Sequence, residues 1–151
     1  MIAHAERTYP EECCGLLMGY VDRQSAPERR TLVEVFPVVN AWSLTVANEL
    51  ATVIPEALAG LKRAKTERYW IDPRDLLQAQ RYARDRQFRV IGVYHSHPDH
   101  VAIPSECDRR LAWPHYSYLI VSVHQGKSQE THSWYLDDRQ QFQSETLLIQ
   151  D

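Results

Sequence analysis

Val90-Ile91-Gly92-Val93-Tyr94-His95-Ser96-His97-Pro98 is an apolar run that ends in a His-x-His pair, and Ser105-Glu106-Cys107-Asp108 follows it after a short loop. The apolar part reads as a buried strand. Side chains two apart on a strand point to one face, with Cα atoms roughly 6.5 Å apart. The rings of His95 and His97 can therefore converge on one ion while Ser96 points the other way. Ser105 and Asp108 are three apart, so they share one face of the first turn if Ser105 opens a helix. A strand end thus offers two imidazoles, and a helix start offers a carboxylate and a hydroxyl.

Two neutral imidazoles and one carboxylate make a hydrolytic Zn²⁺ set, because three protein ligands leave a fourth position for water. A Ca²⁺ or Mg²⁺ cage would want mostly oxygen ligands and fits less well. Read singly, His95 and His97 are ordinary strand-end residues and Ser105 is an N-cap. The spaced string as a whole, on a strand end and a helix start, favours the metal.

The 151 residues suit one domain with one core. Apolar residues make up 44% and charged residues 25%, a globular balance. The net charge of −3 comes without a basic stripe, so nucleic acid is not an expected partner. No window approaches a transmembrane helix in length, and the first residues lack a signal-peptide apolar core. A cytoplasmic protein that does not engage a membrane is the expectation. Cys13, Cys14 and Cys107 are odd in number and two are adjacent, which does not make a disulfide framework. All three read as small buried hydrophobes, with Cys107 facing the core rather than the metal.

Along the chain, Met1 to Thr8 reads as a short helix with Ile2, Ala5 and Ala3 inward. Strands follow over Cys14–Val21 and Arg30–Val39, the second rich in β-branched residues. Asn48 to Lys65 carries Leu50, Val53, Ile54, Ala57, Leu58 and Leu61 at helical spacing, with Pro55 as a break or start. The basic residues at its end, Lys62, Arg63, Lys65 and Arg68, read as a solvated helix end. Tyr69-Trp70-Ile71 reads as a short strand. Asp72-Pro73 is a strong helix start, and Leu76, Leu77, Ala79, Tyr82 and Ala83 give that helix an apolar face to about Arg86. After the short helix from Ser105, strands are expected over Tyr116–Val123, Glu130–Leu136 and Phe142–Ile149, with a hairpin turn at Gln125-Gly126-Lys127. The order predicts an α/β protein, a mixed β-sheet flanked by helices. No G-x-G-x-x-G supports a Rossmann fold. His100 sits in the loop beside the pair and is read as pocket lining; His4, His115, His124 and His132 read as surface or strand residues.

Glu12-x-x-Gly15, His95-x-His97-Pro98, seven residues from Pro98 through Pro104, then Ser105-x-x-Asp108, resembles the JAMM motif of the MPN+ (Mov34/PAD-1) zinc metalloproteases. The opening Tyr9-Pro-Glu-Glu-Cys-Cys-Gly-Leu-Leu-Met-Gly19 and the Asp72-Pro73 helix are similar to small prokaryotic members, and the likeness runs from about residue 2 to residue 137. The resemblance implies a cytidine-deaminase-like (JAB/MPN) fold holding a catalytic Zn²⁺. His95, His97 and Asp108 match the family's metal ligands, Glu12 its general acid/base, and Ser105 its transition-state stabiliser. It also implies cleavage of a peptide or isopeptide bond at the C-terminal tail of a ubiquitin-like protein; bacterial members are linked to ubiquitin-like sulfur carriers. Small bacterial members are shorter between Asn40 and Asp72, so residues about 48–68 read as a helical insertion in a single domain, 1–151.

Family spacing to Gly15 selects Glu12 over Glu11, and strand alternation lets only one of the two face the site. Two other functions are weighed. A non-catalytic MPN-like interaction module would lack some ligand residues, and all are present. A zinc deaminase expects His-x-Glu with Pro-Cys-x-x-Cys, and neither string occurs.

Overall fold

The computed structural model describes residues 1–54 and 63–149. The elements are α1 (Ile2–Thr8), β1 (Cys14–Asp22), β2 (Arg29–Val38), α2 (Leu44–Val53), α3 (Pro73–Asp85), β3 (Arg89–Pro98), α4 (Glu106–Leu111), β4 (Ser117–His124), β5 (Lys127–Leu136) and β6 (Phe142–Glu145). The strands form one sheet in the order β2-β1-β3-β4-β5-β6. Only β3 and β4 run parallel; every other neighbouring pair is antiparallel. This is the mixed α/β sheet expected from the pattern. No helix among the described residues is long and apolar enough to cross a membrane.

The central strand β4 is covered on both faces, as its unbroken apolar run requires. Leu119, Val121 and Val123 pack with Ala5 of α1, Leu17, Ile91 and Tyr94 on one side. Tyr118 packs with Ala79 and Ala83 of α3, Leu16, Met18 and Val93 on the other. Fully burying one such aliphatic side chain contributes about 1.5–3 kcal/mol. The two alanines bring α3 close against the sheet. Its start is fixed by the Asp72 side chain, which accepts from the Arg74 N–H at 2.8 Å, with Pro73 in the first turn. The hairpin between β4 and β5 turns on Gln125 (φ 50°) and Gly126 (φ 79°), the paired positive φ that a two-residue turn demands.

A bulge sets the phase of β3. Leu17 pairs with Gly92 but Met18 pairs with Val90, which leaves Ile91 as the extra residue. Beyond it, alternation puts Val93 on the α3 face and Tyr94 on the α1 face. His95 and His97 follow Val93. The two histidines therefore leave the sheet at the carboxyl end of β3, on the α3 side. β1 runs antiparallel to β3, with Cys14 opposite His95, so the residues just before β1 arrive at that same end.

Several local expectations change. Ile2 is 51% exposed and Ala3 is also outside; α1 docks through Ala5 and through His4, whose Nδ1 meets the Tyr94 hydroxyl at 2.9 Å. His4 is therefore a packing residue and not a surface one. Leu77 of α3 is exposed, since two small alanines occupy the sheet side. Residues 69–71 form no strand; they are irregular, tied by the Ala41 N–H to the Trp70 carbonyl at 2.9 Å. The last strand stops at Glu145, and Leu148 and Ile149 are exposed. The helix expected from Asn48 begins earlier, because Ser43 caps it by accepting from the Val46 N–H at 3.2 Å, and it ends at Val53 before Pro55. Residues 63–71 are not helical. The expectation for Ala57, Leu58 and Leu61 lies outside the described residues. α2 packs through Ala47 against Trp42 and Cys107 in a third small core, which confirms that Cys107 faces inward.

Gly15 illustrates how tightly β1 meets β3. A Cβ there would lie 2.6 Å from the Tyr94 hydroxyl, and Tyr94 is fully buried and held by His4. Gly15→Ala is expected to destabilise by about 1–3 kcal/mol, the usual cost of overpacking a core. A thermal melt checks it, and an unchanged melting temperature would show that Tyr94 has room to move.

Candidate metal centre and active site

The sequence brings four of its five candidate residues together by two local devices. The first is the β3 end. His95 Nε2 and His97 Nε2 lie 3.1 Å apart, and Ser96 points away, its Oγ accepting from the Cys13 N–H at 2.8 Å. The second is the start of α4. Ser105 Oγ accepts from the Asp108 N–H at 3.2 Å, and Asp108 Oδ2 accepts from the Ser105 N–H at 2.6 Å. This reciprocal capping box holds the carboxylate against the imidazoles. Asp108 Oδ1 is 3.5 Å from His95 Nε2, and Oδ2 is 3.6 Å from His97 Nε2.

These gaps test whether a metal ion fits. A tetrahedral ion with bonds of about 2.0–2.1 Å sets its donor atoms about 3.3–3.4 Å apart. The observed 3.1, 3.5 and 3.6 Å bracket that edge length. The protonation pattern agrees. His97 Nδ1 lies 2.8 Å from the Val101 carbonyl; a carbonyl only accepts, so Nδ1 carries the proton and Nε2 presents a lone pair to the cluster. Burial lowers the pKa of His95 against the pull of Asp108, the direction that favours the neutral ring a metal needs. Burial alone would raise the Asp108 carboxyl, but His95 and His97 outweigh it and hold it well below the usual carboxylate range. Lone pairs and a carboxylate converge there, a group that could hold a metal ion.

The ring of His95 is fully buried and stacks on Tyr69, centroids 4.4 Å apart and 23° from parallel. The loop after β3 is bolted down as well. Ser122 Oγ donates to the His100 carbonyl at 2.6 Å, Trp134 Nε1 donates to the Ala102 carbonyl at 3.0 Å, and Glu130 Oε1 accepts from the Ala102 N–H at 3.2 Å. The Val101 carbonyl is thereby fixed for His97. The side chain of His100 is exposed and stands outside the metal group.

Glu12 is the fifth candidate. It is 5% exposed, whereas Glu11 is exposed; both precede β1 and Cys13 and Cys14 are buried too, so the contrast does not come from strand alternation. Burial raises the pKa of Glu12 well above the ordinary carboxyl value; the charge of Asp108 adds to the rise and Arg68 opposes it. The chain brings it to the same end of β3 as the cluster, since Cys13 is bonded to Ser96 and Cys14 pairs with His95, yet it is not among the converging ligand atoms. Its backbone is held outside the sheet ladder. The Glu12 N–H donates to the Lys65 carbonyl at 2.7 Å, and its carbonyl accepts from Asn40 Nδ2 at 3.0 Å.

Residues 1–137 match the family described as prokaryotic homologs of the JAB domain. The chain belongs to that family. The CysO-cysteine peptidase of Mycobacterium tuberculosis is 30% identical over 139 residues, covering 91% of this chain and 77% of the relative. The desampylase of Haloferax volcanii is 31% identical over 114 residues, covering 75% of this chain and 63% of that protein. A solution structure from Desulfitobacterium hafniense aligns with TM-score 0.73 at 29% identity, over 100% of this chain and 86% of that one. One from Salinibacter ruber aligns with TM-score 0.65 at 29% identity, over 98% and 84%. The JAB-type fold expected from the resemblance is the one observed, and of the two curated relatives one is named a peptidase and the other a desampylase.

The JAB domain also uses residues that its spacing did not reveal. Tyr69, Asn40 and the carbonyls of Lys65 and Val101 all touch the site residues. Carbonyls leave no trace in a sequence. Asn40 could have been noticed as a lone amide between Val39 and Ala41-Trp42, an apolar setting in which a buried amide must be bonded.

Proposed function

We propose that this protein is a zinc-dependent metallopeptidase. Its substrate is a peptide or isopeptide bond, and we place that bond at the C-terminal tail of a ubiquitin-like or sulfur-carrier protein. The observation that carries the reading is geometric: His95, His97 and Asp108 converge, and the buried carboxyl of Glu12 stands one residue before Cys13, which is bonded to Ser96 between the two histidines. A structural metal site has no use for a carboxyl group beside it that is not a ligand; a hydrolytic one does. The substrate class rests on the family and on relatives named for CysO-cysteine and for desampylation.

His95, His97 and Asp108 hold the ion in this reading. An ion held there would supply Lewis acidity for the attacking water and the scissile carbonyl. Glu12, as carboxylate, takes a proton from the water whose oxygen bonds to the scissile carbon, and returns it to the amine nitrogen as the C–N bond breaks. Val101 fixes the tautomer of His97 through its carbonyl, and Tyr69 fixes the plane of the His95 ring. Ser105 Oγ already accepts from the Asp108 N–H, so its own hydroxyl proton is free to donate to the developing oxyanion. The substrate tail lies extended, its backbone pairing with a strand edge. We take residues 1–151 as one domain with an insertion near 48–68. The three free, buried cysteines fit a cytoplasmic protein.

The test is incubation with ubiquitin-like and sulfur-carrier proteins bearing C-terminal extensions, with mass spectrometry of the products and a chelator control. Cleavage after the tail that the chelator abolishes is the expected result; intact substrates throughout would favour an interaction module. Ser105→Ala should lower kcat by about 10²–10³-fold, the loss seen when one oxyanion donor is removed. Its metal content should change little, since Asp108 remains. A loss confined to KM would remove Ser105 from the chemistry.

A further inference from the structure

We propose that Asn40 is a positioning residue for Glu12, fixing the peptide from which that carboxyl reaches the site; the inference rests on the peptidase reading above. Asn40 is 6% exposed. Its Nδ2 donates to the Glu12 carbonyl at 3.0 Å and to the Arg68 carbonyl at 2.9 Å. Its Oδ1 accepts from the Trp42 N–H at 3.0 Å and from the Trp70 N–H at 3.2 Å. A side-chain amide has two N–H donors and two lone pairs on its oxygen. All are used, and every partner is backbone. One side chain thus joins the approach to β1, the approach to α2 and the chain leading into α3.

The need for such a clamp follows from where Glu12 sits. The β1–β3 ladder starts at Cys14 opposite His95, and Cys13 is still tied to Ser96 through the Ser96 Oγ and N–H. Glu12 lies beyond these pairings, so the sheet does not fix its dihedrals. Two bonds do: its N–H to the Lys65 carbonyl and its carbonyl to Asn40. Asn40 also grips Arg68 and Trp70, which flank Tyr69, the residue stacked on His95. Lys65 lies on that same stretch. Asn40 therefore sets the distance between the Glu12 peptide and the wall it leans on. Its hydrogen bonds reach none of the ligand atoms of His95, His97 or Asp108; it holds the Glu12 peptide directly and touches the metal side only at one remove, through the Tyr69 ring.

A general base must sit within hydrogen-bond reach of its proton, and a misplacement of about 1 Å can cost about 10²-fold in rate. Asn40→Ala should therefore lower kcat by about 10-fold to 10²-fold while leaving KM and zinc content near wild type. The deciding measurement is a double-mutant cycle with Glu12→Gln. If Asn40 acts through Glu12, then Asn40→Ala on the Glu12→Gln background should change kcat by less than about 3-fold, because the group it positions is already disabled. A second readout needs no metal: amide exchange at Glu12 in the zinc-free protein should quicken in Asn40→Ala, since its bond to Lys65 loses support. Asn40→Asp keeps the size and the Oδ1 acceptor but turns an oxygen toward the Glu12 and Arg68 carbonyls, and the same fall in kcat is expected.

Losses that multiply in full across the cycle would overturn the proposal, as they would mark a general structural staple. Failure of both Asn40 variants to fold would do so for the same reason. A crippled Glu12→Gln beside a fully active Asn40→Ala would overturn this inference and leave the peptidase reading intact. A fully active Glu12→Gln would overturn that reading itself.

Discussion

The His95→Ala/His97→Ala protein should retain almost no zinc, against about one ion per chain in the wild type, a stoichiometry set by three convergent ligands. Peptidase activity should fall to background with it. The reason lies in the donor set: with both imidazoles gone, only the Asp108 carboxylate remains of the converging group. Loss of metal must be separated from loss of fold, because His95 is fully buried against Tyr69 and its truncation leaves a void. The thermal shift on adding zinc makes the separation. An ion that binds only the folded protein stabilises it by RT ln(1 + [L]/Kd), about 2.7 kcal/mol at a hundred times Kd. Wild-type protein should melt higher with zinc, and the double variant should melt at one temperature with or without it. Full zinc retention by a folded double variant would remove the metal assignment.

The parts of this centre that could be read from the sequence are those whose chemistry is local. His95 and His97 share a face because strand period is two, and Ser105 and Asp108 meet because a capping box closes over three residues. Glu12 was separable from Glu11 by its spacing to Gly15; the alternation argument does not hold, because both residues precede β1 and residues 12–15 are all buried. The α/β class followed from element order. What stayed hidden depends on distant pieces of chain. Nothing near Tyr69 announces that its ring will lie on His95. The strand read into Tyr69-Trp70-Ile71 rested on propensity, but the Trp70 N–H donates to Asn40 Oδ1 and its carbonyl accepts from the Ala41 N–H, outside any sheet. Helix spacing from Asn48 onward outweighed a better local signal, the Ser43 cap. The region first set apart as an insertion reaches the site as well, through the Lys65 carbonyl on Glu12. Removing residues 48–67 is therefore expected to disturb Glu12 and lower the rate, beyond any change in substrate choice.

Glu12→Gln should keep the metal and the fold while lowering the peptidase rate by about 10²–10⁴-fold, the range for a lost general acid or base. Gln matches Glu in size, and the Glu12 backbone is held by Lys65 and Asn40 whatever side chain it carries. Burial is no obstacle: a neutral amide enters the pocket more easily than the carboxyl, whose charged form burial and Asp108 already disfavour. The variant should therefore melt at or above the wild-type temperature, and lost activity cannot be put down to unfolding. Glu11→Gln should do little, since Glu11 faces solvent. Asp108→Asn should differ from both. Its amide oxygen can still cap Ser105, but a neutral amide is a poor Zn²⁺ ligand beside a carboxylate, so zinc content and rate should fall together. Zinc content and rate measured side by side in the three variants distinguish a proton carrier from a ligand and from a bystander. If Glu12→Gln works at the wild-type rate, or if Glu11→Gln is the crippled variant, Glu12 does not carry the proton.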